Sequence, residues 1–457
     1  LDMRNVQVRN SEIVYFNAGL YKQPFFKDVM NTTTVSGKVS GPVNNLSGES
    51  LTIKTGRNTQ VKTDFTIRGL PEVETAWFNF PNLKVNSGRK DIKMMAGAAI
   101  PDSISLPETI ALRVNFKGEI RSFVTTLALN SSYGSADVSA SVDKNENFRS
   151  KLSLVKFDVG RLMMDTAMFG PVSLKAETSG RGLDKNTIRA SIRADVSQVC
   201  LNRYNYHNLT VDGDITGQKF EGQINLDDQY AAFDFDGLVN LNAGEEQYKF
   251  KLNVKGADLQ KLKVSSKDIR ISLKAESDLK GRKADEINGT AGITKIFIAH
   301  EDKEYLLESF MLASINESKK SELTVSNALV GIKYKGTFSP AFLAREIKKF
   351  LNNYFPFSEP ELLATGHDPQ NFEFEIQLHN HPILAGLFLP QLKEFEPGLI
   401  KGSFDSEKGD LKLNAEMKKI VYGTTEIRNL VMDVGSDLNA LNYKLTSTRI
   451  STPQFNL

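Results

Sequence analysis

Along most of this chain apolar and polar residues alternate with a period of two. Tyr248, Phe250, Leu252 and Val254 alternate with Lys249, Lys251, Asn253 and Lys255. Phe372, Phe374, Ile376 and Leu378 alternate with Glu373, Glu375 and Gln377, and Leu411, Leu413, Ala415 and Met417 alternate with Lys412, Asn414, Glu416 and Lys418. Successive side chains of a strand point to opposite faces, so each segment predicts a strand with one greasy and one charged face. That pattern belongs to antiparallel sheet with one solvated side. Turn signals separate the strands at Asp143-Lys144-Asn145, Asp227-Asp228, Asn242-Ala243-Gly244 and Ser406 to Gly409. The connections are short, which predicts a meander of sequential neighbours. Helix is scarce. One is predicted with Ser339 as N-cap, Pro340 at its first position, an apolar stripe of Phe342, Leu343, Ile347, Phe350, Leu351 and Tyr354, and Pro356 closing it. A second, shorter one is predicted between Pro382 and Pro390. Both read as plugs or lids on apolar sheet; for the first, Arg345, Lys348 and Lys349 on its polar side leave a membrane-surface role as the alternative.

The strand pattern also repeats over about a hundred residues. Lys151-Leu152-Ser153-Leu154 returns as Lys251-Leu252-Asn253-Val254, Ser173-Leu174-Lys175-Ala176-Glu177 as Ser272-Leu273-Lys274-Ala275-Glu276, and Phe233-Asp234-Phe235-Asp236-Gly237 as Ile332-Lys333-Tyr334-Lys335-Gly336, all at an offset of 99 to 100. The stretch 157–162 corresponds to 256–262, and Ser132-Tyr133-Gly134 stands roughly as Gln229-Tyr230-Ala231. Repeat units of about 35–150, 151–250, 251–350 and 351–457 follow. No linker separates them, so 1–457 is expected to form one continuous β-repeat.

Composition narrows the reading. A net charge of +2 gives no general attraction to nucleic acid or to an anionic surface, and pairs such as Lys319-Lys320 and Lys348-Lys349 read as solvated faces. Cys200 is the only cysteine, which excludes a disulfide framework and, between Val199 and Leu201, suits a buried inert thiol. The longest apolar runs, Met94–Ile100 and Ile383–Leu389, are far shorter than the about 20 residues a membrane helix needs. The chain begins at Leu1 without a methionine and stops inside strand-like sequence, so an internal piece of a longer protein is expected.

Chemistry-bearing motifs are few. Of the five histidines, His207, His300, His367, His379 and His381, only the last two sit at i, i+2, and no third metal ligand accompanies them. No nucleophile elbow, phosphate loop or dinucleotide fingerprint occurs, and Ser179-Gly180-Arg181-Gly182 opens no helix. Asp227-Asp228 and Asp234/Asp236 are expected in turns and on solvent faces. The sequence therefore predicts no enzyme and no cofactor.

What remains unusual is the apolar face itself. Burying one large apolar side chain is worth about 1.5–3 kcal/mol, so so many cannot stay wet. Two sheets packed as sandwiches would solve this, but closed sandwiches should show domain-sized breaks. A continuous meander instead favours one twisted antiparallel sheet curled into a groove whose apolar inside takes acyl chains. The lining would include Phe233, Phe235, Val239 and Leu241, then Tyr248, Phe250, Leu252 and Val254, continued by Ile332, Tyr334, Phe372, Phe374 and Ile376.

Several segments resemble a known family. Gly69-Leu70-Pro71 before Trp77-Phe78-Asn79-Phe80, Ser105-Leu106-Pro107, the run Tyr204-Asn205-Tyr206-His207-Asn208-Leu209-Thr210-Val211-Asp212-Gly213, and Phe220 to Asp228 are similar to TamB proteins of the Bacteroidetes type, in scattered pieces from near residue 35 to the end. TamB belongs with the AsmA-like, bridge-type lipid transfer proteins. The resemblance implies a periplasmic groove that passes phospholipids between inner and outer membranes. It also implies an inner-membrane anchor outside this chain, and a TamA-like insertase-type barrel as partner of the full-length protein. Two rival readings stand: a scaffold for outer-membrane protein assembly that offers unpaired strand edges, and a multi-domain β-sandwich binding protein, whose aromatics should lie on loops rather than inside strands.

Overall fold

The computed structural model describes residues 1–16, 18–96, 100–282, 286–317, 320–337, 340–355, 369–436 and 440–453. Its described residues form 27 strands and a few short helices, the all-β antiparallel architecture that the alternation predicts. The chain divides into two units, Leu1–Gln229 and Tyr230–Leu457.

The first unit runs from the strand Asp2–Arg9 to the strand Lys219–Asp227. Every strand in it is antiparallel to the next one in sequence, joined mostly by tight turns. The second unit starts at Ala231–Asn240 and keeps the same order as far as Asn371–Leu378. There one short strand steps aside: Asn371–Leu378 pairs with Gly398–Asp405, and Leu392–Phe395 instead lies along the far half of Asp410–Tyr422. The last two strands, Leu441–Thr446 and Arg449–Ser451, share the edge of Thr425–Ser436. Among the described residues neither unit pairs its first strand with its last, so neither sheet closes into a barrel.

The internal repeat is structural as well as textual. Lys151–Leu154 and Lys251–Val254 sit in the strands Asn147–Asp158 and Gln247–Asp258, and both strands end in the same device. The Asp158 amide donates to the Tyr133 carbonyl (2.7 Å) and the Asp258 amide to the Tyr230 carbonyl (2.9 Å). Asp158 Oδ1 then accepts from the Arg161 amide, and Asp258 Oδ1 from the Lys261 amide, both at 2.9 Å. Even the left-handed residues match, Met164 at φ 57 and Lys263 at φ 60. The paired motifs that end in Gly237 and Gly336 have a steric reason. Gly336 lies at φ +142 with its position for a Cβ only 2.2 Å from the Asn371 carbonyl oxygen, so any side chain there would collide with the neighbouring strand.

The predicted helix is present as Pro340–Asn352 and the predicted short one as a π-type turn, Leu384–Phe388. Ser339, Pro356, His367 and the Phe342 side chain lie outside the described residues. Helices that the alternation does not announce also occur, among them Asn10–Phe16 and Arg89–Ala96. The second is fastened by a carboxylate turned inward. Asp91, 4% exposed, accepts from the amides of Arg57 and Asn58 and from the Thr59 hydroxyl, which in turn bonds Ser87. Burial pushes the Asp91 carboxyl up, but the Asn58 and Arg57 amides and the Thr59 hydroxyl and amide more than offset this and hold it below the ordinary carboxylate range. A carboxyl depressed on folding contributes stability that is complete above the unfolded pKa and is lost as the pH falls through the folded one. Asp91→Asn should therefore cost the first unit about 1–3 kcal/mol at neutral pH. Below about pH 4 the gap between variant and parent should narrow, which urea denaturation repeated across pH would read.

Candidate functional site

In an antiparallel sheet, directly opposed residues share a face, so the register traces the apolar face from strand to strand. In the second unit Phe235 faces Leu252, Leu252 faces Ala275, Ala275 faces Ile293, and Ile293 faces Phe310. Leu312, two residues further along the same face, leads on through Val325, Ile332, Ile376, Ile400 and Ala415 to Met432. Of the residues expected to line a groove, Phe233 opposes Val254, Val239 opposes Tyr248, and Phe250 opposes Gly237 on this same face. Tyr334 opposes Phe374, and Phe372 opposes Gly336. Leu241 does not join them. The strand ends at Asn240, and Leu241 stands 52% exposed in the turn that follows.

The first unit carries a lane of the same kind, although none of its residues was among those expected from sequence. Ile53, Val61, Val85, Leu112, Leu129 and Ala136 oppose one another in succession. From Ala136 the register passes through Leu154, Leu174, Val196 and Leu209 to Leu226. The signal was available: Ile110, Leu112, Val114 and Phe116 alternate with Ala111, Arg113 and Asn115 as cleanly as the segments used above.

Side chains packed between two layers are fully buried. Most of these are not. Of the lining residues expected from sequence, Phe233, Phe235, Val239, Tyr248, Phe250, Leu252, Val254, Ile332, Phe374 and Ile376 are half-buried and Tyr334 and Phe372 are buried, as are Ala136, Val196, Leu226 and Ala415 elsewhere in the lanes. Among the described residues the strands pack chiefly on their hydrogen-bonded neighbours, so most of these faces carry no second layer.

Among the described residues two places in the second unit are covered. The helix Pro340–Asn352 and the turn after it lay Leu343, Phe350, Leu351 and Tyr354 on Tyr334, Phe372 and Phe404, with Phe350 and Phe404 edge to face at 5.3 Å. Each such side chain contributes about 1.5–3 kcal/mol if fully buried. At the opposite strand ends Ile383 and Leu387 cover Tyr305, Ile269 and Ile298, and Lys267 Nζ donates to the Leu387 carbonyl at 3.1 Å. Both expected plugs thus sit on the apolar face. Lys348 and Lys349 of the helix are exposed.

The opposite face is charged and paired across strands: Lys249 with Asp278, Lys251 with Glu276, Lys335 with Glu322 and Lys401 with Glu375 in the second unit, Lys151 with Glu177 and Arg193 with Asp212 in the first. A shallow depression of about 740 Å³ lies beside Tyr334 among Glu322, Lys335, Glu375 and Lys401, and one of about 590 Å³ beside Lys151, Glu177 and Arg193. The charges balance in the first depression, and the second, which Arg149 and Asp212 also line, keeps a surplus of one positive charge.

One acid is not where the turn signal put it. Asp228 follows the strand Lys219–Asp227 but is buried, and it accepts from the Tyr204 hydroxyl, the His207 amide and His207 Nδ1. Burial, and then the Asp228 charge, push the neighbouring Tyr206 phenol upward. The cluster fixes the start of the strand Tyr204–Thr216. His381 Nδ1 accepts from the Ile383 amide, turning the chain into the second plug. Among the described residues no group of histidine, cysteine and acidic side chains could hold a metal ion, and no helix is long and apolar enough to cross a membrane. No family model, curated protein or solved structure matches the chain.

Proposed function

We propose that this chain is a stretch of a lipid-conducting groove in a bacterial envelope, non-enzymatic, whose apolar lane shields phospholipid acyl chains from water. One observation carries the proposal: in each unit an in-register apolar lane crosses successive strands and is half-buried at most positions, although Ala136, Val196, Leu226 and Ala415 within it are buried, with a charged, ion-paired face behind it. An acyl chain is the apolar guest such a lane lacks. The sequence likeness to TamB supports the finer parts of the reading: a periplasmic location, transfer between inner and outer membranes, and a TamA-like barrel engaged by parts of the full-length protein outside this chain. A photo-reactive amino acid placed at Phe235, Phe250 or Phe116 in cells should capture phospholipid, and one at Lys251 on the charged face should not. Silence at all three apolar positions, or equal capture at Lys251, would remove the groove.

A second reading draws on the edge strand Leu441–Thr446, which among the described residues pairs on one side only and leaves Tyr443 74% exposed. Such an edge could template an incoming strand. Tyr443→Pro would disable a template and leave a conduit working, so transport assays on this variant separate the two.

A further inference from the structure

The helix Pro340–Asn352 occupies the face that the groove proposal gives to acyl chains. Its apolar side chains rest on Tyr334, Phe372 and Phe404, and these are continuous in register with the open lane at Ile332, Ile376 and Ile400. The second plug, Ile383 and Leu387, approaches from the other strand ends. The helix also buries Glu346 and holds Arg345 beside it at 3.7 Å, charges that water would solvate once the helix lifts. The floor beneath is aliphatic and aromatic, so an alkyl chain can replace Leu343, Phe350 and Leu351 without exposing it.

Resting on the groove reading, we infer that the helix is a removable plug: it fills an acyl-chain site over Tyr334, Phe372 and Phe404, and a lipid tail competes with it for that floor. Oleate serves as the probe on the full chain, with photo-reactive residues at Leu411, beside the plug, and at Phe235, in the open lane. Excess oleate should speed hydrogen exchange of the helix amides at least tenfold and give adducts at both positions. Leu351→Ala, which loosens the plug, should raise capture at Leu411 at least threefold and leave Phe235 unchanged. Capture at Phe235 with helix exchange unchanged or slowed would overturn the plug and spare the groove, as would a fall in capture at Leu411 on loosening. Capture at neither position would remove the groove and the plug with it.

Discussion

Phe404→Ala should lower the stability of the second unit by about 3–5 kcal/mol, the cost of emptying a tightly filled aromatic site. Phe404 is 3% exposed, and its ring meets Phe350 at 5.3 Å and Phe372 at 5.8 Å. With Tyr334 these three rings form the buried cluster on which the helix Pro340–Asn352 is seated. The loss should therefore appear as a lower urea midpoint in circular dichroism, together with faster exchange of the helix amides. The only tryptophan, Trp77, lies in the other unit and should report nothing. A loss below about 1 kcal/mol would mean that the helix is not seated where its contacts place it.

Phe250→Asp should behave in the opposite way, sparing the fold and emptying the groove. Phe250 is half-buried, opposes Gly237 and Ser277, and touches Phe235 at 5.4 Å between centroids. A carboxylate at this position remains hydrated, because among the described residues no second layer closes over it. The cost in stability should stay within about 2 kcal/mol, in the ordinary range for a partly exposed site. A charge set across a hydrocarbon path is a different matter, since an alkyl chain must pass it or dehydrate it. Capture of phospholipid at Phe235 and Phe374 should fall at least tenfold. Unfolding of the second unit by this one change would instead identify Phe250 as an ordinary core residue.

The strands were legible because a half-wet sheet writes its two faces into alternate residues, and Tyr248 to Lys255 needed nothing more than a period of two. The helix Pro340–Asn352 was legible for the same reason, its stripe being spaced for one apolar side. Leu241 was misplaced by extending that rule one step too far. Asn240 ends the strand by turning its side chain back on the loop, donating to the Glu245 carbonyl and accepting from the Asn242 amide. Asp228 and Asp91 were illegible for another reason. Their partners lie 21 to 34 residues away, so no local pattern marks them as buried. The helix Arg89–Ala96 escaped notice because the group that fastens it is a carboxylate rather than a greasy stripe. Whether the apolar lanes are filled by protein or left for a guest was beyond periodicity altogether, since both cases require the same alternation.

The claim that the lanes are left for a guest can be tested by weighing the molecule. Native mass spectrometry of the full chain, purified from bacterial cells without detergent, should show species heavier than the polypeptide by whole phospholipids. Phe250→Asp should shift the population toward the bare mass. A spectrum holding only the bare polypeptide, even after incubation with phosphatidylethanolamine vesicles, would contradict the account.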